Sequence, residues 1–107
     1  MLIVAGTFEV EPADQAEFVS ARVDAMRETR TETGCLEYVM SADPVDATRV
    51  MLFERWENQA AFDAHMALIP TKPRPGGPAP KSFSVKIYDG TLGDVYYYYR
   101  VNFKVSG

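Results

Sequence analysis

The stretch ETGCLEYVMSADPVDATRVMLFERWENQAAFDAHM, residues 32–66, decides the reading of the fold. Its first half alternates. In CLEYVMSA (35–42) Leu36, Tyr38 and Met40 fall on one face, and Cys35, Glu37 and Val39 on the other, which is the period of a strand. DPVDAT (43–48) supplies turn residues. RVMLFERW (49–56) alternates again, with Val50, Leu52, Glu54 and Trp56 opposed to Met51 and Phe53 and an arginine near each end. Two such runs around a short turn form an antiparallel hairpin. Asn58 then suits a helix N-cap. Over residues 59–68 the period changes: Phe62, His65, Met66 and Ile69 recur at i, i+3, i+4 and i+7. His65 therefore lies on an apolar stripe, nine residues from Trp56, and these are the only histidine and tryptophan of the chain.

Upstream, LIVAGTFEV (2–10) reads as a strand with Leu2, Val4, Phe8 and Val10 on one face. Ile3 and Ala5 make the other face partly apolar, so both faces expect cover. Gly6 fits a point of close backbone approach. Pro12 opens a helix expected to run from about residue 12 to 32, with Phe18, Ala21, Arg22, Ala25, Met26 and Thr29 as its inner stripe and Gly34 as its stop. Downstream, PTKPRPGGPAPK (70–81) holds five prolines and two glycines, a loop or arm in which no helix is expected. SFSVKIY (82–88) alternates, as does VYYYYRVNFKV (95–105), whose tyrosines Tyr96–Tyr99 suit a strand, a ligand surface or a subunit contact.

The order β-α-β-β-α-(loop)-β-β describes an α+β domain: an antiparallel sheet with helices on one face. Helices on one side leave the other face uncovered, and the same face of a second copy is the simplest cover. A homodimer burying about 1,600 Å² in total is the expected assembly.

The totals narrow the function classes. A chain of 107 residues, 47% hydrophobic and 24% charged, is expected to be a single domain over 1–107 with a real core. The net charge of −4 and the pI of about 4.9, with no cluster of Lys and Arg, argue against nucleic-acid binding. A lone Cys35 excludes an internal disulfide, and one cysteine with one histidine excludes the usual zinc sets, so no metal ligands are expected. The opening MLIVAGTFEVEP is too short for a membrane span and lacks the basic start of a signal peptide, so a cytoplasmic location without membrane contact is the expectation.

The Gly34-Cys35-Leu36-Glu37-Tyr38 entry to the second strand, the Asp-containing hairpin turn, the Phe53-Glu54-Arg55-Trp56 strand end, and Phe62 with His65 on the next helix together resemble the antibiotic biosynthesis monooxygenase (ABM) family. The resemblance covers roughly residues 1–69. It implies a ferredoxin-like α+β fold that pairs into a dimeric barrel. In the members that are enzymes it implies a cavity between sheet and helices where an aromatic or quinol substrate is oxidised by O2 with no cofactor, neither metal nor flavin. The haem-degrading branch resembles this chain less: it carries tryptophan at the position of His65 and needs a later histidine, and none follows here. The C-terminal third departs, because prolines replace a helix that walls the family's pocket. Either 82–88 or 95–105 is then the family's last strand.

On this reading His65 is the candidate general base, since an imidazole titrates near neutrality. Trp56 offers a flat wall to an aromatic ligand, or fills the core. Tyr38 offers a hydroxyl to a substrate oxygen, or packs. Glu54, if buried, needs a partner or a proton. Phe62 completes the wall. Thr7 stands near where some family enzymes place a substrate-binding asparagine. Cys35 reads as a small buried residue. The function expected is a cofactor-independent monooxygenase acting on a phenolic, quinol or polyketide-like aromatic. The alternatives are a non-catalytic dimeric small-molecule-binding or stress-related protein, or an isomerase or lyase pairing His65 with Glu54.

Overall fold

The computed structural model describes residues 1–90; the strand expected over 95–105, with its tyrosine run, lies outside the described residues. The elements are β1 (Leu2–Glu9), a 3-10 turn (Pro12–Asp14), α1 (Gln15–Ser20), α2 (Val23–Thr29), β2 (Cys35–Ala42), β3 (Arg49–Trp56), α3 (Gln59–Leu68), a second 3-10 turn (Ile69–Thr71) and β4 (Ser82–Asp89). The strands form one antiparallel sheet in the order β2-β3-β1-β4. This is the ferredoxin-like α+β arrangement, and Ser82–Asp89 occupies its fourth strand position, beside β1.

Alternation in the sequence becomes the two faces of the sheet. Leu2 and Val4 of β1, Val50, Leu52 and Trp56 of β3, and Tyr38 and Met40 of β2 are buried together with Phe18, Met26 and Phe62 from the helices. Burying a side chain as completely as Phe18 or Val50 contributes about 1.5–3 kcal/mol. The hairpin turn closes as its composition dictates: Oδ1 of Asp43 accepts the N–H groups of Val45 and Asp46, and Oδ1 of Asp46 accepts Thr48 N–H and Oγ1–H. Gln15, at the start of α1, locks this turn from outside. Its Nε2 lies 3.1, 3.1 and 2.8 Å from the carbonyl oxygens of Asp43, Asp46 and Arg49.

The single helix expected over 12–32 is broken. Residues 12–14 make a 3-10 turn, and the helix interrupts again at Ala21–Arg22. Arg22 explains the second break. Its N–H donates to Val19 O rather than to Phe18 O, and its guanidinium folds back to donate to Phe18 O at 3.0 Å. The side chain thus replaces its own backbone bond. It is buried, and its guanidinium carbon lies 3.5 Å from the centroid of the Phe18 ring, a cation–π contact. The inner stripe still holds: Phe18, Arg22, Met26 and Thr29 are all buried.

A second correction concerns β2. Its pairing with β3 shifts between Cys35 and Glu37, so Leu36 bulges out and is exposed, while Cys35 pairs with Trp56. Leu36 does not share the buried face of Tyr38 and Met40. The bulge adds one residue and reverses the parity before it.

The proline-rich arm opens with one 3-10 turn, Ile69–Thr71, where no helix was expected. Beyond it the arm lies along the helical layer. Gly77, at φ +78°, sits so close to the α1–α2 break that a Cβ there would come within 2.9 Å of Ala21 Cβ. The arm ends where Lys81 N–H donates to Glu9 O. Gly6 is the close approach its sequence position suggested: a Cβ on it would run into the Ser84 carbonyl and the Val85 side chain of β4.

The far face of the sheet carries Ile3, Ala5 and Thr7 of β1 opposite Arg55, Phe53 and Met51 of β3, in that order. At one end of it Ile3, Phe53, Tyr88, Asp89 and Gly90 line a largely apolar cavity of about 440 Å³. The helices also stop short of β4. Phe83 and Ile87 remain 51% and 53% exposed, although the Phe83 ring stacks on Phe8 with centroids 4.3 Å apart.

Candidate functional site

The chemistry-bearing side chains converge where the C-terminal ends of β3 and α2 meet α3. Trp56 ends β3, and Asn58 caps α3 by accepting Ala61 N–H. His65 follows Ala61 by four residues, so both lie on one helix face. Gly34, at φ +81°, lets the loop after α2 press against that face; a Cβ on Gly34 would strike Ala61 Cβ. The same loop then delivers Glu32 to His65.

Five of the residues singled out in the sequence come together. Trp56 is fully buried, His65 is 4% exposed, and Glu54, Tyr38 and Phe62 are buried with them. The imidazole lies against the indole with centroids 4.7 Å apart, and Tyr38 meets it edge-on at 5.6 Å. Phe62 stands edge-on to Trp56 at 6.3 Å. Trp56 Nε1–H donates to Glu54 Oε1 at 3.0 Å, which satisfies the indole's only donor. Thr7 is not with them. It pairs with Met51 and Ser84 on the far face of the sheet, the parity opposite to Val4 and Phe8.

Glu32 is the participant that sequence reasoning missed. Its Oε1 lies 2.9 Å from His65 Nδ1. On the other side of the ring, Nε2 stands 3.9 Å from Glu54 Oε1, beyond hydrogen-bond length. A carboxylate can only accept, so the proton of the neutral imidazole sits on Nδ1, and Nε2 carries the lone pair. Glu32 Oε2 is buried without a hydrogen-bond partner; Lys72 Nζ approaches it at 3.7 Å while bonding Glu28 at 2.9 Å. One signal for Glu32 was in the sequence. Glu28 stands in the last turn of α2 and Glu32 three residues beyond its end, on the side where the helix dipole disfavours carboxylates, so they need cations nearby.

The surroundings tune these groups. Burial pushes the Glu54 carboxyl above its ordinary range, against the Trp56 hydrogen bond and the attraction of His65, with Glu32 adding to the rise. Burial, then Glu54 and Glu32, hold the Tyr38 phenol well above its usual value. Tyr38 is therefore a donor and not a base. Cys35, half-buried opposite Trp56, is pushed up by burial and by Glu32 and Glu54, so its thiol is a poor nucleophile. Among the described residues no group of three or more His, Cys, Asp or Glu is arranged to hold a metal ion. None of the described helices is long and apolar enough to cross a membrane.

Comparisons with known proteins agree on the fold. The model of the antibiotic biosynthesis monooxygenase family matches residues 1–68. A candidate antibiotic biosynthesis monooxygenase from Deinococcus radiodurans superposes with a TM-score of 0.67 at 23% identity, covering 85% of this chain and 93% of that one. One from Nitrosomonas europaea gives 0.68 at 16% identity over 84% and 98%. A heme-degrader from Mycobacterium tuberculosis, with two hemes bound in its active site, gives 0.69 at 16% identity over 86% and 97%. In sequence, an uncharacterized protein of Synechocystis is 33% identical over 64 residues, 60% of this chain. The match spans only 44% of that relative's length.

Proposed function

This chain belongs to the antibiotic biosynthesis monooxygenase family, and from that premise we propose that it is a cofactor-independent monooxygenase acting on a phenolic, quinol or polyketide-like aromatic. One observation carries the reading. The sole imidazole of the chain is held at Nδ1 by Glu32, faces Glu54 with Nε2 and lies on the Trp56 indole. An imidazole whose Nδ1–H is engaged offers Nε2 as a base. His65 removes the phenolic or enolic proton, and the resulting electron-rich anion passes an electron to O2. Combination of the radical pair and loss of water convert an activated ring CH2 to C=O, with the second oxygen atom leaving as water. Tyr38, kept protonated, donates to the substrate oxygen, and Trp56 and Phe62 provide the flat wall. A low-dielectric setting strengthens each of these contacts. Ile3, Phe53 and Met51 on the far face support pairing with a second copy, which sedimentation at micromolar concentration tests: a monomer removes the dimer from the reading.

The closure of the cluster favours a second reading. Trp56 and His65 are packed in contact and nearly inaccessible, as in a structural core. A dimer that binds small aromatics without turnover would look the same. Oxygen consumption with a panel of hydroquinones and anthrones separates the two. Turnover that is lost in His65→Ala supports the monooxygenase. Turnover unchanged in that variant removes His65 from the mechanism. Binding without product, seen as a thermal shift of about 2.7 kcal/mol in stability at roughly 100 times the dissociation constant, supports the binding protein.

A further inference from the structure

We propose that Glu32 and Lys72 are positioning residues for His65, so that the proline-rich arm is a working part of the site. The inference rests on the reading of His65 as the base, and it concerns residues that reading does not use. Three features lead to it. Glu32 is the only side chain within hydrogen-bond length of the imidazole among the described residues, across 33 positions of sequence. Its other oxygen is buried with no hydrogen bond, an arrangement that costs free energy and that packing alone does not require. The cation that compensates it, Lys72, comes from the first residue after the 3-10 turn that opens the arm.

The geometry forms a line: Glu28, Lys72, Glu32, His65, Glu54, Trp56, with separations of 2.9, 3.7, 2.9, 3.9 and 3.0 Å. Glu32 holds the ring in the tautomer that leaves Nε2 free. Lys72 holds the Glu32 carboxylate in place and balances its charge. The arm is pinned at both ends, by Lys72 to Glu28 and by Lys81 to Glu9 O and Glu11, with Gly77 seated on the helix break between. Among the described residues, the charged and titratable groups facing His65 are Glu32 with Lys72 behind it, Glu54 of β3 and Tyr38 of β2.

Because the chain has a single histidine, a long-range 1H–15N correlation of the uniformly labelled full chain reports this ring alone. In its neutral form the wild type is expected to carry the proton on Nδ1. Glu32→Ala should move the proton toward Nε2, while Glu32→Gln, which keeps an acceptor, should not. Lys72→Met, which keeps the length of a half-buried side chain and should fold, is expected to reduce the Nδ1–H population and lower kcat roughly tenfold with little change in KM; Lys72→Arg should restore both. A ring whose tautomer is the same in wild type, Glu32→Ala and Lys72→Met overturns the proposal. If the tautomer shifts as stated but no substrate is oxidised, the positioning role stands and the monooxygenase reading falls.

Discussion

His65 Nδ1 and Glu32 Oε1 lie 2.9 Å apart, with the histidine side chain 5% and the glutamate side chain 13% exposed. Two groups that form a contact so far from water depend on each other. His65→Ala leaves the Glu32 carboxylate without its partner and opens a void beside Trp56. The expected loss is about 3 kcal/mol in urea unfolding. Glu32→Ala should be partly redundant with it, so the double variant is expected to lose less than the sum by about 1 kcal/mol or more. Strict additivity would show that the pair is not coupled.

Arg22 carries a different kind of dependence. Its guanidinium caps the Phe18 carbonyl that the broken helix leaves open, and lies over the Phe18 ring. Burial lowers its pKa, with Tyr38 opposing, yet an arginine remains charged at neutral pH. Arg22→Met keeps most of the apolar stem and removes both contacts. The expected loss is about 1–3 kcal/mol, read as the denaturation midpoint. A variant as stable as wild type would mean that the α1–α2 break closes into a regular helix without the arginine, which the backbone amide signals of residues 20–23 would reveal.

Gly77 tests how firmly the arm is seated. Its φ of +78° suits glycine, and a Cβ would meet Ala21 at 2.9 Å. Gly77→Val faces both obstacles and should cost about 1–2 kcal/mol if the arm stays docked. If instead the arm lifts, global stability changes little but proteolysis between residues 72 and 81 quickens. Neither effect would place Gly77 outside any packed contact.

These residues also mark the limits of what the sequence reveals. The hairpin, the Asn58 cap and the face shared by Val50, Leu52, Glu54 and Trp56 were legible because period and turn chemistry are local. That Trp56 and His65 each lie on an apolar face beside one short turn was legible too; that the two rings meet was left open. The helix break was not legible, because it depends on Arg22 folding back onto Phe18, a side-chain choice that periodicity does not encode. Leu36 was misplaced for a similar reason: a bulge reverses parity without any glycine or proline to announce it. Thr7 was set apart from the site by strict alternation, which the spacing already contained. Glu32 escaped notice because its partner is 33 residues away.

Glu54 provides the prediction with a pH signature. Burial raises its carboxyl pKa above the ordinary range. The folded chain then binds this proton more tightly than the unfolded chain does. The associated stability is complete below the unfolded carboxyl value of about 4.3 and is lost as pH rises through the raised folded value. Glu54→Gln cannot lose that contribution, and its amide oxygen can still accept the Trp56 indole N–H that Glu54 accepts now. The variant should therefore gain stability relative to wild type on going from about pH 4 to about pH 7. Urea midpoints across that interval measure the difference. A gap that stays constant would mean that Glu54 titrates alike in the folded and unfolded chains, the Trp56 hydrogen bond and the attraction of His65 then offsetting the effect of burial. Under the proposed chemistry the same variant keeps His65 Nε2 as the base while removing the carboxylate that faces it. Oxygen consumption should then fall less than in His65→Ala, which locates the proton acceptor on the imidazole and not on Glu54.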